Sequence, residues 1–211
     1  MPNQLYEILD KEITKLRPAQ EKSVKKGLLE GKNLLVCTPT ASGKTLIAEL
    51  AALKSILEGK GKAIYIVPLK ALASEKYRDF KKRYDKIARI ALSIGDIDSA
   101  DHYLADYDLI VTTSEKMDSL LRHHAPWANS ISTLIIDEIH LLNDPERGPT
   151  LEILITILKE LLKNVQIIGL SATIGNAEEL AEWLGADLVV DEWRPVKLHK
   201  GIYLDGKVEF Y

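Results

Sequence analysis

The stretch Asn33-Leu34-Leu35-Val36-Cys37-Thr38-Pro39-Thr40-Ala41-Ser42-Gly43-Lys44-Thr45 decides how this chain folds. Its first five residues form a short apolar run, the pattern of a buried strand. A tight loop follows. Leu46, Ile47, Leu50, Ala51, Leu53 and Leu57 then recur with a helical period. Strand, glycine-containing loop and helix is the context in which a backbone cradles phosphate. Amide N–H groups at the helix N-terminus point at the anion's oxygens, and the helix dipole favours its charge. In that reading Thr40, Ala41 and Ser42 supply loop amides and Gly43 lets the backbone approach closely. The Lys44 ammonium reaches the outer phosphates, and the Thr45 hydroxyl ligates Mg²⁺. One position departs from the general pattern, which has glycine where this chain has Thr38.

Working outward, six further apolar runs read as strands: Ala63–Val67, Ile90–Ile94, Leu109–Thr112, Thr133–Ile136, Val165–Leu170 and Leu188–Val190. They are rich in Ile, Leu and Val with little polar alternation, as in parallel strands covered on both faces. Helical periods occupy Leu46–Leu57, Leu69–Tyr84, Thr150–Leu162 and Ala177–Leu184. The alternation predicts βαβ units, hence an α/β fold with a mostly parallel sheet and helices on both faces. Before the first strand, Leu5–Lys15 reads as an amphipathic helix. A second helix starts at Pro18 and runs to Leu29, ended by Gly31. Beyond Trp193-Arg194-Pro195 the pattern changes, and Val196–Tyr211 reads as a hairpin around Asp205-Gly206. The expected division is a domain over residues 1–195, followed by a departing linker over 196–211.

Length and composition agree with one domain, or one and a fragment, since 211 residues exceed a soft prior of roughly 150 per domain. Apolar residues make up 46% and charged residues 28%, the balance of a globular chain. No run approaches the ~20 unbroken apolar residues of a membrane span, and the N-terminus lacks the basic and apolar regions of a signal peptide. The single cysteine, Cys37, makes no internal disulfide. The expectation is a cytoplasmic monomer. The net charge of −3 excludes a polycation but leaves room for a local basic groove.

Two further segments carry chemistry. In Leu134-Ile135-Ile136-Asp137-Glu138-Ile139-His140, two carboxylates sit where an apolar strand leaves the sheet. In open α/β sheets that edge binds ligands. A strand-end Asp is the Mg²⁺ partner a phosphate loop needs, and the adjacent Glu138 is placed to take a proton from the attacking water. The segment Gly169-Leu170-Ser171-Ala172-Thr173-Ile174-Gly175 also ends a strand. Its hydroxyls, Ser171 and Thr173, either bond a carboxylate or His140, or form an ordinary helix cap near Thr173 or Asn176.

Taken in order, these segments resemble motifs I, II and III of the superfamily 2 helicases, a family that tolerates a non-glycine residue at Thr38. Leu16-Arg17-Pro18-Ala19-Gln20 resembles the Q motif, in which Gln20 would read adenine. Val67-Pro68-Leu69-Lys70-Ala71-Leu72-Ala73 resembles motif Ia, and Thr112-Thr113-Ser114-Glu115-Lys116 motif Ib. The resemblance implies that Pro68, Leu69, Lys70, Thr113, Ser114 and Lys116 lie along one nucleic-acid strand. It also makes His140, Ser171 and Thr173 coupling residues. Asp137-Glu138-Ile139-His140 with Glu146-Arg147-Gly148-Pro149-Thr150 is similar to the DExH-box Ski-like branch. Trp183-Leu184 and Trp193-Arg194-Pro195-Val196 narrow this to the archaeal Hjm helicases, relatives of the animal HELQ protein. The resemblance covers residues 16–203. It implies ATP and Mg²⁺ as cofactors, single-stranded or branched DNA as partner, a nucleoid-associated location, and helicase activity in DNA repair. Helicases of the same branch that act on RNA, and a binding module without turnover, remain alternatives. Motifs IV, V and VI do not occur in these residues. In this family they belong to a second RecA-like domain, which also supplies the arginine fingers, so this is expected to be the first RecA-like domain alone.

Other features read as structural. Lys76, Arg78, Lys81, Lys82 and Arg83 share a segment with Tyr77, Phe80 and Tyr84, whose spacing suits a core stripe with a solvated basic face. His123-His124 reads as surface, Cys37 as a small hydrophobe, and Trp183 and Trp193 as packing residues. Gly95-Asp96 is either a plain turn or a neighbour of the nucleic acid.

Overall fold

A computed structural model describes residues 2–95, 101–197 and 199–210. Asp96 therefore lies outside the described residues. Among the described residues there are nine strands: β1 (Leu34–Cys37), β2 (Lys62–Val67), β3 (Ile90–Ser93), β4 (Leu109–Thr113), β5 (Ile131–Ile136), β6 (Gln166–Ser171), β7 (Asp187–Val190), β8 (Gly201–Leu204) and β9 (Lys207–Phe210). Seven helices accompany them: α1 (Asn3–Asp10), α2 (Pro18–Lys25), α3 (Lys44–Leu57), α4 (Lys70–Tyr84), α5 (Ser114–Arg122), α6 (Gly148–Leu161) and α7 (Ala177–Leu184).

The first seven strands form one sheet in the order β3-β4-β2-β5-β6-β1-β7, with every pairing parallel. This is the RecA-like α/β arrangement, and the expected fold class holds. β1, β4 and β6 are buried at every position, which suits the apolar runs Leu34–Cys37, Leu109–Val111 and Ile167–Leu170 that they carry. Successive side chains alternate between two apolar layers. Leu34 and Val36 join Ile47, Leu53, Phe80 and Tyr84 on one face. Leu35 and Cys37 join Met117, Leu154, Leu158 and Leu184 on the other.

Register matters most for the site. Cys37 pairs with Ser171, Ile136 with Gly169, Ile66 with Ile136, and Val67 with Thr113. The C-terminal ends of β1, β6, β5, β2 and β4 therefore lie along one edge. The five segments that follow them, dispersed through the sequence, become neighbours.

The larger differences from the sequence reading lie at α1, α2, α5 and the turn after Glu138. α1 ends at Asp10, because the chain must be extended by Arg17, whose ψ of 158° suits the residue before Pro18. α2 ends at Lys25 rather than Leu29. Gly27, at φ +98°, closes a Schellman motif with Gly27 N–H donating to Val24 O and Leu28 N–H to Ser23 O. α5 is an added helix, capped by the Thr113 hydroxyl, which accepts from Lys116 N at 3.4 Å. After Glu138 the backbone makes a 3₁₀ turn over Ile139–Asn143. In the tail, β8 and β9 pair antiparallel about Asp205 and Gly206, whose φ values of +47° and +78° belong to a type I′ turn.

Candidate nucleotide and nucleic-acid site

The loop between β1 and α3 is held from below and from the side. Thr38 and Ser42 hydroxyls bond each other at 2.6 Å, and Ser42 N–H donates to Pro39 O at 3.3 Å. Thr38 is wholly buried. Its side chain thus braces the loop where the general pattern has glycine. Ala41 and Gly43 both have positive φ, +65° and +91°. That curl turns the loop amides inward as a nest. Lys44 and Thr45 open α3, so their N–H groups have no intrahelical acceptor. A Cβ on Gly43 would lie 2.5 Å from Gln20 Nε2 and 3.1 Å from Arg17 Cδ, so only glycine fits there.

The segment before α2 packs on that loop. Arg17 Nη1 donates to Ala41 O at 2.7 Å, and Gln20 Nε2 donates to Gly43 O at 3.0 Å. Gln20 Oε1 accepts from Arg17 N at 2.8 Å. Gln20 is thus a brace of the loop, with one amide proton and one lone pair left for a base. The Arg17 guanidinium also lies 5.5 Å from the centre of the Trp193 ring. Beside this brace opens a cleft of about 660 Å³ whose walls include Arg17, Gln20, Gly43, Thr45, Glu49 and Lys76.

Lys44 Nζ donates to Ser171 O at 2.9 Å and to Thr38 O at 3.5 Å, and stands 3.9 Å from Glu138 Oε1. Its cation is therefore already aimed between β1, β5 and β6. Asp137 leaves β5 with Oδ1 accepting from Glu138 N at 3.0 Å and Oδ2 accepting from Tyr65 OH at 2.9 Å. Tyr65 is buried, edge-on to Phe80 at 5.2 Å. Burial, and then the Asp137 charge, push its phenol well above the ordinary range, so it stays a donor. Glu138 takes φ +51°, a left-handed conformation that costs a non-glycine residue of order 1–3 kcal/mol. The strain aims its carboxylate back over the loop. His140 Nδ1 accepts from Ala172 N–H at 3.4 Å, and the same nitrogen lies 3.4 Å from Glu138 Oε2.

The donor set suits Mg²⁺ on chemical grounds: one hydroxyl at Thr45, one carboxylate at Asp137, and a phosphate cradle between them. Mg²⁺ is ordinarily held by one or two carboxylates plus substrate phosphates and water. No group of three or more His, Cys, Asp or Glu among the described residues could hold a metal by itself.

Some expected contacts differ. Ser171 is wholly buried and its hydroxyl has no hydrogen-bond partner, while Thr173 is exposed. The link from motif III to His140 runs through the Ala172 amide, because the side chain of Ser171 turns into the sheet. Pro68, Leu69 and Lys70 lead into α4, with Leu69 and Lys70 exposed. Thr113 is spent on its helix cap, and Ser114 is buried. Lys116 corrects the sequence reading. It is 3% exposed with Nζ 3.0 Å from Asp101 Oδ2, so its charge is directed into the protein and not toward a strand. Phe80 and Tyr84 are core residues, as their spacing implied, but Arg83 is no solvated charge. It pairs with buried Glu49 at 2.7 Å and with Glu12 at 2.8 Å. Tyr65 and Lys76 entered the site unannounced, because both reach it only through tertiary packing.

A parallel sheet with a phosphate loop on β1 and an acidic pair on β5 defines a RecA-like nucleoside-triphosphate-binding domain. The chain belongs to the DEAD/DEAH box helicase family, whose model matches residues 17–180. It is 57% identical to the ATP-dependent DNA helicase Hel308 of Methanocaldococcus jannaschii, over 99% of this chain and 18% of that protein. It is 54% identical to the Hel308 of Pyrococcus abyssi, over 97% of this chain and 28% of that protein. The chain thus spans 18% to 28% of the length of these relatives. Among solved structures, the DUF1998 helicase MrfA superposes with a TM-score of 0.78 at 26% identity, covering 91% of this chain and 32% of MrfA. The same helicase bound to DNA gives 0.78 at 25% identity, over 91% and 30% of the two chains.

Proposed function

We propose that this chain is the nucleotide-binding lobe of an ATP-dependent DNA helicase motor, with residues 1–195 forming the lobe and 196–211 leading toward a second RecA-like domain. One observation carries the reading: strand register places the phosphate loop, Asp137-Glu138, His140, Ala172 and the Pro68–Lys70 segment on one sheet edge. The nest formed by Ala41 through Thr45 binds the phosphates of ATP, and Lys44 turns from the Ser171 carbonyl to the outermost ones. Thr45 and Asp137 would hold Mg²⁺, which would offset the charge of the phosphates. Glu138 orients the attacking water and accepts its proton. The contact from Glu138 through His140 to the Ala172 amide ties the state of the carboxylate to the segment after β6. On the same edge, the exposed Leu69-Lys70 and the start of α4 receive the backbone of a single DNA strand. Phosphate contacts of this kind position a strand without reading its sequence.

The test is single-strand binding by fluorescence anisotropy across a salt series, with DNA and RNA of the same sequence. The reading expects weak binding whose log–log salt slope is about −0.7 per phosphate contacted. It also expects phosphate release to rise strongly when the chain is joined to a second RecA-like domain, since an arginine finger contributes about 10³–10⁵ in turnover. Binding unaffected by salt would refute the strand assignment.

A further inference from the structure

Lys76 sits in the second turn of α4, on a helix whose role so far is to cover β2, β3 and β4. Its ammonium leaves that helix's basic face and enters the nucleotide cleft, where Nζ donates to Thr45 Oγ1 at 2.9 Å. Tyr65 donates to Asp137 Oδ2 at 2.9 Å. The two residues read as holding the metal are thus each already engaged, Thr45 by the Lys76 cation and Asp137 by a phenol. Buried Glu49, which also feels the Lys76 charge, lines the same cleft with Asp79.

We propose that Lys76 is the resident counter-cation of the metal position: it occupies the Thr45 hydroxyl until a metal–nucleotide complex arrives, and competes with that metal for the site. The proposal rests on the reading of Thr45 and Asp137 as the Mg²⁺ residues. Thr45 Oγ1 has two lone pairs, so the conflict is electrostatic rather than steric. Mg²⁺ binds oxygen at about 2.0–2.1 Å. An ammonium 2.9 Å from the same oxygen would then leave charges of +2 and +1 only a few ångströms apart. Lys76 must swing away as the metal enters, with Glu49 and Asp79 as nearby acidic groups. It is a positioning residue in the nucleotide-free state and touches no reacting atom.

The experiment is calorimetric titration of the chain with ADP, once with saturating Mg²⁺ and once with EDTA, using the parent, Lys76→Met, Lys76→Gln and Lys76→Arg. Both neutral variants are expected to bind Mg²⁺·ADP about fivefold more tightly, the order of one partly exposed charge interaction. They should also reach half-saturation at lower Mg²⁺. With EDTA they should bind ADP no better than the parent, and Lys76→Arg should restore the parent's Mg²⁺ dependence. Unchanged Mg²⁺·ADP affinity in the neutral variants overturns the proposal. So does weaker binding under both conditions, which would make Lys76 a phosphate ligand. If the parent itself binds no Mg²⁺·ADP, the nucleotide site falls together with this inference. If the parent binds and the neutral variants gain nothing, only the inference falls.

Discussion

Gly43→Ala is the most direct probe of how the loop is built, because three separate costs can be worked from its surroundings. The first is conformational. At φ +91° an alanine lies outside the regions open to L-residues, a strain of about 1–3 kcal/mol. The second is steric. The new Cβ meets Gln20 Nε2 at 2.5 Å and Arg17 Cδ at 3.1 Å, and both side chains must retreat. The third follows from that retreat: the bonds from Gln20 to Gly43 O and from Arg17 to Ala41 O stretch or break, at about 1 kcal/mol each. Together they predict a loss of roughly 3–5 kcal/mol if the loop keeps its shape. If the loop relaxes instead, part of that loss moves out of stability and into binding, because the nest of amides is no longer formed. Urea denaturation of the nucleotide-free chain and calorimetric titration with Mg²⁺·ADP measure the two shares. Their sum is the predicted quantity. A variant within about 0.5 kcal/mol of the parent in stability, the usual range for a surface change, and within twofold in nucleotide affinity would refute the account of the loop.

The carboxylates are expected to separate by role. With a second RecA-like domain present, Glu138→Gln should retain Mg²⁺·ATP binding and lose turnover by about 10²–10⁴, whereas Asp137→Asn should raise the Mg²⁺ concentration needed for nucleotide binding; single-turnover phosphate release and Mg²⁺ titrations distinguish them. Tyr65→Phe removes the donor to Asp137 Oδ2 and leaves the ring packed on Phe80. It should cost about 0.5–1.5 kcal/mol of stability for the hydrogen bond lost at a half-buried carboxylate and shift the Mg²⁺ dependence, read by urea denaturation and metal titration. No change in either readout would mean that the phenol does not hold the carboxylate.

Most of the fold was legible, and the failures have physical causes. All seven strands of the main sheet could be read, because their apolar cores are rich in Ile, Leu and Val, and six of the seven are buried at nearly every position, only the edge strand β7 being mostly exposed. Helix ends were less legible. α2 stops at Lys25 because Gly27 rather than Gly31 closes the Schellman motif. Both glycines follow an amphipathic run, and only the tertiary setting of Leu28 chooses between them. α5 went unread although Met117 and Leu120 lie on one buried face, since its nine residues give the period little room to show. In the site, the loop and the acidic pair were visible as local patterns. The partners that aim them were not. Tyr65 sits 72 residues from Asp137 and Lys76 sits 31 from Thr45, and only the sheet register brings them together. Lys116 was misplaced for the opposite reason. Its position in the sequence suits a strand contact, but Asp101 neutralises it inside the fold.

The central claim is that the β1–α3 loop binds a metal nucleotide through its own amides and Lys44. Calorimetric titration of this chain with Mg²⁺·ADP, side by side with Lys44→Ala, tests it most directly. Lys44 is half-buried and supports no apolar packing, and its ammonium bonds only two backbone carbonyls beside Glu138, so the variant should stay folded with at most a small loss in urea midpoint. Losing one charge-assisted interaction of about 1.5–3 kcal/mol should weaken binding by at least about tenfold. Equal affinity in the two proteins, with both folded, would contradict the assignment of this loop as a nucleotide site.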